Sequence, residues 1–451
     1  TCPYSHNNHI PASSVLLQTL IREHGSTVGI VRDLPVLVTR DLDLMKQVLV
    51  KDFNNFVNRS DSMPTKSLLG KGVFYLRDYT WKRVRQLMSP SFSTGKLKRV
   101  SHHIQEAAGR LSRAFENCAH AGTRIKLFHV TGQYSTSIIA KTAFGVDADS
   151  IGEETDDQFT HSAKNIFKKR SKREFFFLMI LMRFRKFRSF LVHHFGFHFA
   201  DPCTRSSDVY FNAILKESIA EREVAERQGS RHVNNDFLQS LVSIKVASED
   251  ASSGPSKSAA NSASNFNQNE EKSGVPAKKT MTMDEVIAQS LITIIAAYET
   301  TASTLQFCLF ELAKNPEIQE EVFQEILDIV EDENPTYEEL GRLCYMDQVV
   351  NETLRMYPPL PYITRLAQES RTYGTVTIPA GSAVYIPITE VHRDPSQYPN
   401  PDVFDPQRFS DENKAARNPL AFIPFGQGPR ICIGMRLAYL ELKTALVKVL
   451  R

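Results

Sequence analysis

The chain has 451 residues, of which 41% are hydrophobic and 23% charged, a composition typical of a globular protein. Its 54 Lys and Arg residues nearly balance its 51 Asp and Glu residues, and the net charge of +3 indicates no global affinity for nucleic acid. The chain contains no run of about 18 apolar residues, so the sequence predicts no membrane-spanning helix. The cysteines lack the paired spacing of a disulfide framework or zinc site, which favours a reducing compartment; they are Cys2, Cys118, Cys203, Cys308, Cys344 and Cys432.

Helical patterns dominate the first half of the chain. Alternation over 27–39 predicts a β-hairpin. A stretch rich in Ser, Asn and Gly over 249–280 predicts a disordered connector. Helical periodicity predicts helices over 41–51, 81–90, 98–119 and 134–144.

The second half begins with a long predicted helix over 284–314, which Asn315-Pro316 ends. A Pro-rich segment covers 395–425, and a helix follows Cys432. Further helices are predicted over 317–331 and 342–357, and short strands over 374–378 and 383–388. The predicted fold class is therefore mainly α with small β portions, in a single domain over 1–451.

The segment Phe-Gly-Gln-Gly-Pro-Arg-Ile-Cys-Ile-Gly over 425–434 surrounds Cys432 with glycines. A helix N-terminus favours a thiolate, and glycines let the backbone approach a flat ring. Alone, such a cysteine is more often a small buried hydrophobe. The pattern Phe-x-x-Gly-x-Arg-x-Cys-x-Gly, however, resembles the haem-ligand loop of the cytochrome P-450 superfamily, the haem-thiolate monooxygenases.

This resemblance implies a haem-thiolate monooxygenase fold that binds haem b, iron protoporphyrin IX. Cys432 would be the metal ligand on the proximal side, and the 284–314 helix would cover the distal side. Phe425 and Arg430 would contact the cofactor. The motifs occur in the family's order along essentially the whole chain, and they are most similar to the microsomal branch that oxidises drugs and steroids.

The string Ala-Ala-Tyr-Glu-Thr-Thr over 296–301 interrupts an apolar run. An acid and hydroxyls there are costly unless they have a task, and the alternative is a solvent-facing stripe. The resemblance assigns catalytic roles to Thr300, which would hydrogen-bond dioxygen, and to Glu299, which would help to deliver protons. Ala297 stands where the family usually has Gly, and its methyl group is expected to narrow the groove.

Trp81, the one tryptophan of the chain, precedes Arg85 by one helical turn. Both side chains can donate to a carboxylate, although a buried Trp beside a surface Arg is the simpler reading in isolation. The resemblance assigns both to the haem propionates. It adds Arg365 and Arg430 to this set, and Arg59 as a weaker candidate.

Glu352 and Arg355 are three residues apart on a predicted helix, a spacing that alone indicates only a surface ion pair. The resemblance pairs them with Arg408 to lock the 395–425 segment. His392 also matches a segment of the family, but we expect it to have a structural role.

Two basic regions suggest partners. Ten basic residues and one acid over 164–188 flank an apolar block, which predicts a segment in a membrane interface, with a core helix as the alternative. The second region consists of Lys82, Arg83, Lys96, Lys98 and Arg99. The resemblance gives it a role in docking an acidic flavoprotein reductase. Such a partner is needed because the sequence itself has no flavin or nicotinamide fingerprint.

The resemblance implies insertion of one oxygen atom from O2 into a small apolar molecule, a steroid, fatty acid or xenobiotic. Electrons would come from NADPH through the reductase, with cytochrome b5 as a further partner. We expect a location on the cytosolic face of the endoplasmic reticulum membrane, and a chain that lacks its N-terminal anchor and C-terminal hairpin. Two alternatives stay open: an oxygen-independent isomerase on the same fold, and a non-catalytic haem sensor or carrier.

Overall fold

The computed structural model describes residues 12–31, 34–60, 68–166, 205–228, 236–253 and 280–451. Within these ranges helices predominate, and the β-structure consists of one four-stranded sheet and one two-stranded hairpin. The predicted class, mainly α with small β portions, is confirmed.

The bounds of the elements agree with most of the predicted ones. The strands are β1 (Thr27–Val31), β2 (Pro35–Thr39), β3 (Tyr362–Leu366), β4 (Arg371–Tyr373), β5 (Val376–Ile378) and β6 (Ala383–Pro387). The helices are α1 (Ala12–His24), α2 (Leu42–Lys46), α3 (Asp78–Met88), α4 (Thr94–His120), α5 (Leu127–Phe144), α6 (Gln158–Ile166), α7 (Arg205–Arg227), α8 (Phe237–Ser253), α9 (Met283–Lys314), α10 (Pro316–Ile329), α11 (Tyr337–Arg342), α12 (Cys344–Met356), α13 (Ile388–His392), α14 (Asp411–Ala416) and α15 (Met435–Leu450).

The four-stranded sheet joins the two ends of the sequence. Its strand order is β1-β2-β6-β3, in which β2 and β6 are parallel and the other pairs are antiparallel. The predicted hairpin is β1 with β2. Arg365 lies on β3 opposite Val384 of β6 and is buried, so the sheet places a guanidinium group in the interior.

Helix α9 runs through the centre of the molecule. It starts at a capping box, in which Thr282 and Glu285 satisfy each other's backbone N–H groups, and it ends before Pro316. The N-terminal half of α9 contributes residues such as Leu291 to one hydrophobic core. The C-terminal half contributes residues such as Leu305 to another, which it shares with α4, α12 and α15. The middle of α9 is therefore fixed in place by the two hydrophobic cores that hold its two halves.

The predicted disordered connector is wrong at its start. Helix α8 continues to Ser253, five residues into the predicted range, because extension of an existing helix costs little once its first turns have formed. Residues 254–279 lie outside the described part of the chain.

The predicted membrane-interface segment falls mostly on residues 167–188, which also lie outside the described ranges. Its first basic residue, Lys164, is described, and its Nζ atom lies 2.6 Å from both carboxylate oxygens of Asp156. Lys164 therefore pairs with a protein carboxylate, and the membrane-interface segment stays a prediction. No helix in the described ranges has both the length and the apolar character needed to span a bilayer.

A buried ion pair holds the Pro-rich segment, as predicted. The Arg355 guanidinium donates two hydrogen bonds of 2.7 Å to the Glu352 carboxylate, and both side chains are fully buried. Arg355 also donates to the carbonyl oxygens of His392, Pro401 and Val403 at 3.1, 2.8 and 3.3 Å. The pair thus fixes the backbone path that leads to the cysteine.

Two further contacts complete this arrangement. The backbone N–H of Asp405 donates to Glu352 at 2.9 Å, and the Arg408 Nε atom lies 3.5 Å from the same carboxylate oxygen. The predicted triad of Glu352, Arg355 and Arg408 is confirmed. His392 accepts a hydrogen bond from the Ile423 backbone at 2.9 Å, and burial lowers its pKa to about 3, so the neutral ring serves a structural role.

Replacing Glu352 by Ala should cost about 3–5 kcal/mol of unfolding free energy, because a buried guanidinium would lose its charge partner. The matched control is Glu338→Ala, which breaks the exposed pair with Lys98 and should cost far less unfolding free energy than Glu352→Ala. Urea unfolding followed by circular dichroism measures both. Equal losses in the two variants would contradict the assigned positioning role.

Candidate active site

Cys432 lies in a tight loop immediately before α15. Its backbone N–H donates to the Phe425 carbonyl at 2.9 Å, and the Ile431 N–H donates to the Gly428 carbonyl at 2.9 Å. The thiol is accessible to solvent, although burial by the surrounding protein raises its pKa. A group that is both accessible and surrounded faces a concave space, which is what a ligand of a deeply held cofactor requires.

The predicted preference of Cys432 for the thiolate is outweighed by burial. The backbone N–H of Gly434 and the Arg85 guanidinium do lower the thiol pKa, but the net direction is upward. A bound metal ion reverses this balance because a coordinated thiol is deprotonated outright. The N-terminus of α15 therefore favours the Cys432 thiolate, but it is not sufficient to deprotonate the thiol.

Gly428 shapes the loop through its lack of a side chain. Its φ is +77°, and a Cβ built there would lie 1.9 Å from the Leu49 carbonyl oxygen. Leu49 belongs to a π-helical turn, Gln47–Lys51, which follows α2. Gly426 has nearly the same φ, +76°, but there the nearest atom, in Ile363, is 3.7 Å away. Both positions favour glycine conformationally, and only Gly428 forbids a side chain sterically.

Four guanidinium groups meet beside this loop: those of Arg59, Arg85, Arg365 and Arg430. Burial, and to a smaller extent the positive charges of the neighbouring arginines, lower the pKa of Arg430 to about 8. Burial and the charge of Arg59 lower the pKa of Arg365 to about 9. Among the described residues, the carboxylate that opposes this effect at Arg430 is Asp78. Arg365 and Arg430 are buried, a setting in which cations are stabilised by anions, and the two propionates of a haem fit that need.

The Nε atoms of Arg365 and Arg430 have no hydrogen-bond partner among the described residues, although they are buried. The Arg430 guanidinium stacks 4.3 Å above the Trp81 ring. Sequence analysis singled out these three residues from motifs that are far apart in the chain, and the structure brings them together.

Two other predicted cofactor contacts are Phe425, in the cysteine loop, and Arg85 of α3, which bonds to that loop. Arg85 donates to the Ile431 carbonyl at 2.7 Å, next to Cys432. Phe425 packs against Tyr439 of α15, with ring centroids 5.4 Å apart. Arg59, the weaker candidate, belongs fully to the cluster, and its guanidinium lies 3.7 Å above the Phe74 ring. Its neighbours in space are distant in sequence, so no local pattern could have ranked it higher.

The predicted catalytic string lies on α9 where the two halves of that helix meet. The Thr300 hydroxyl donates to the Ala296 carbonyl at 2.6 Å. Glu299 is accessible, while burial by its surroundings raises its pKa. Ser135 of α5 donates to the Ala297 carbonyl at 3.0 Å, from the side of α9 that packs on α5. Hydroxyl groups that compete for helical carbonyls loosen a helix locally.

Glu441 of α15 is a candidate that sequence analysis missed. It is fully buried, and neither carboxyl oxygen has a hydrogen-bond partner within the described ranges. Burial raises its pKa to about 8. The group is therefore mostly protonated at neutral pH, behind the helix that carries Thr300. The available signal was an acid within the apolar run of the final helix.

The predicted reductase-docking region is less basic than its sequence indicates. Arg83 bonds to Glu285 and to the Thr280 carbonyl, and Lys98 pairs with Glu338. Two of the five cations in this region are thus neutralised by α9 and α11.

Comparison with known proteins decides the family. The sequence model described as Cytochrome P450 matches residues 14–451. Cytochrome P450 3A2 of Rattus norvegicus is 34% identical over 426 residues, which cover 92% of this chain and 76% of that protein. Cytochrome P450 3A14 of Cavia porcellus is 34% identical over 419 residues, with the same coverage. The chain belongs to the cytochrome P450 family. Its similarity to the 3A proteins agrees with the predicted drug- and steroid-oxidising branch.

As a cytochrome P450, the protein binds haem b and is an oxidoreductase, a haem-thiolate monooxygenase that acts on small apolar molecules such as steroids and xenobiotics. Its electrons come from a redox-partner reductase. These predictions from the sequence are confirmed, and they displace the isomerase and sensor alternatives.

Replacing Gly428 by Ala should lower stability and haem content well beyond the effect of Gly426→Ala. Both variants incur about 1–2 kcal/mol for a left-handed non-glycine residue, and only the first must also displace the Leu49 carbonyl. Thermal unfolding and the haem-to-protein absorbance ratio measure the difference. Equal effects at the two glycines would contradict the proposed close contact.

Proposed function

We propose that residues 1–451 form one haem domain in which the Cys432 thiolate would hold the iron and the α9 groove would serve oxygen binding and proton delivery. The observation that carries this proposal is the position of Cys432, accessible within a surrounded site and next to the buried guanidinium groups of Arg365 and Arg430. When bound, haem supplies the iron that activates dioxygen for insertion of one oxygen atom into an apolar C–H bond.

We assign the arginines to orientation of the cofactor. Arg365 and Arg430 have buried Nε donors to offer, and propionates would satisfy them while removing the repulsion between the guanidinium groups. Trp81 and Arg85 add an indole N–H and further guanidinium donors. Ligation at Cys432 and anchoring at the arginines together fix the ring in position and rotation.

We assign proton handling to Thr300 and Glu299. The Thr300 hydroxyl donates its hydrogen bond to the Ala296 carbonyl. The lone pairs of the hydroxyl oxygen are then available to accept a hydrogen bond from a proton donor in the cavity. Burial favours the protonated form of Glu299, so this side chain can hold a proton at the edge of the same cavity. Coupled oxygen insertion needs such a supply without free access of bulk water.

We further propose that the protein works on the cytosolic face of the endoplasmic reticulum membrane, with cytochrome b5 as a second electron donor. The basic residues and apolar block over 164–188 support membrane contact. Among the docking residues, Lys82, Lys96 and Arg99 have no acidic ion-pair partner within the described ranges. They supply the positive charge for an acidic redox partner.

Replacing Cys432 by Ser should abolish the band of a thiolate-ligated haem in the reduced carbon monoxide difference spectrum. The matched control, Cys344→Ser, changes an exposed thiol and should leave that band unchanged. A thiolate band that persists in Cys432→Ser would refute the ligand assignment.

Replacing Thr300 by Ala should raise the peroxide released per NADPH several-fold, because the cavity loses its hydroxyl acceptor. Thr300→Ser keeps the hydroxyl and should restore most of the coupling. The measurement is peroxide, product and NADPH in the presence of reductase and a steroid or xenobiotic that the unsubstituted enzyme oxidises. Unchanged coupling in Thr300→Ala would remove Thr300 from the proton pathway.

A further inference from the structure

A short loop, residues 68–77, lies against the N-terminal half of α9. Leu69 and Ile292 form a small buried cluster with Val73, Phe74, Tyr75 and Ile295 around them. A Cβ on Gly72 would lie 3.1 Å from the Ile292 Cβ atom, so the loop backbone is close to the helix. The loop therefore covers this part of α9 directly.

One side chain of α9 binds the loop backbone through both ends of its amide. The Gln289 Oε1 atom accepts from the Val73 N–H at 2.7 Å, and its Nε2 atom donates to the Lys71 carbonyl at 2.9 Å. Nε2 also donates to the Glu285 carbonyl at 3.2 Å, which fixes the rotation of the amide. Gln289 is fully buried, so water does not replace these bonds.

The far end of the loop is bound to the arginine cluster. Arg430 donates to the Leu76 carbonyl at 2.7 Å and to the Phe74 carbonyl at 3.4 Å. Gln289 and Arg430 thus hold the same loop from opposite sides, one from the distal helix and one from the cysteine loop.

The location of this loop gives it a function. Gln289, Ile292, Ala296 and Thr300 are spaced by three or four residues and so share one stripe of α9. The side chains of Phe74 and Tyr75 pack at Ile292, one turn before Ala296. The loop is therefore the wall next to the groove where Thr300 acts.

We propose that Gln289 is a positioning residue that sets this wall of the substrate cavity, by holding the peptide groups at Lys71 and Val73. Ligands that extend from the iron toward the loop depend on Gln289, whereas ligands that occupy only the iron site do not. The inference rests on the assignment of the Thr300 face to the cavity.

The first test needs no substrate. Gln289→Leu keeps the side-chain volume but removes both bonds to the loop. Hydrogen exchange at the Tyr75 and Leu76 amides, which both bond to the Gly72 carbonyl, should become about tenfold faster, equivalent to about 1.4 kcal/mol of lost local stability. Thr293→Val is the control, because it removes a hydroxyl that bonds only within α9.

A second variant acts from the loop side and leaves the helix intact. Val73→Pro deletes the N–H that Gln289 accepts, and Gly72, with ψ of 146°, already has the conformation that a residue before proline adopts. Its exchange should match that of Gln289→Leu. The double variant should add little, because both changes break the same contact.

The third test separates positioning from general stability. Imidazole and 4-phenylimidazole both bind haem iron, and only the second carries a ring that reaches a cavity wall. In Gln289→Leu the dissociation constant of 4-phenylimidazole should rise about tenfold, while that of imidazole should change less than about twofold.

Unchanged exchange at Tyr75 and Leu76 in both variants, or an unchanged ratio of the two dissociation constants, would overturn the proposal. Failure of the unsubstituted holoprotein to bind imidazole would contradict the haem site instead. Hydrogen exchange, which requires no haem ligand, would then decide the role of Gln289 alone.

Discussion

The buried ion pair of Glu352 and Arg355 is the constraint on which the site depends. Its guanidinium group binds three carbonyl oxygens of the segment before the cysteine loop, and its carboxylate binds the backbone at Asp405. Such a pair adds little net stability because desolvation offsets attraction, but it tolerates few alternative arrangements. Its main effect is to define one path for the chain, and Cys432 lies at the end of that path.

A second electrostatic constraint acts on the other side of the site. Two buried arginines, Arg365 and Arg430, lie near the half-buried Arg59 and Arg85, an arrangement that anions would stabilise. The protein thus stores repulsion that its cofactor relieves, and cofactor binding should contribute directly to the stability of the folded chain. Arg430 also bonds to the 68–77 loop, so the residue that meets a propionate helps to hold a cavity wall.

The parts of this structure that sequence reasoning predicted are those with local causes. Helix α9 is bounded by a capping box and a proline, and the cysteine loop by residue types fixed over ten positions. The missed parts arise from contacts between distant segments. Nothing near Gln289 in sequence indicates that its amide binds the backbone at Val73, and nothing near Lys164 indicates its pairing with Asp156. Glu441 was missed because a single acid in a helix is usually solvent-exposed.

The contact between Gly428 and the Leu49 carbonyl has a consequence for synthesis of the protein. These residues lie near opposite ends of the sequence, yet the cysteine loop is shaped against the π-helical turn at Leu49. A chain still emerging from the ribosome holds that turn long before it holds Cys432. The thiol therefore cannot reach its final geometry until the cysteine loop has been synthesised and has packed against that earlier turn.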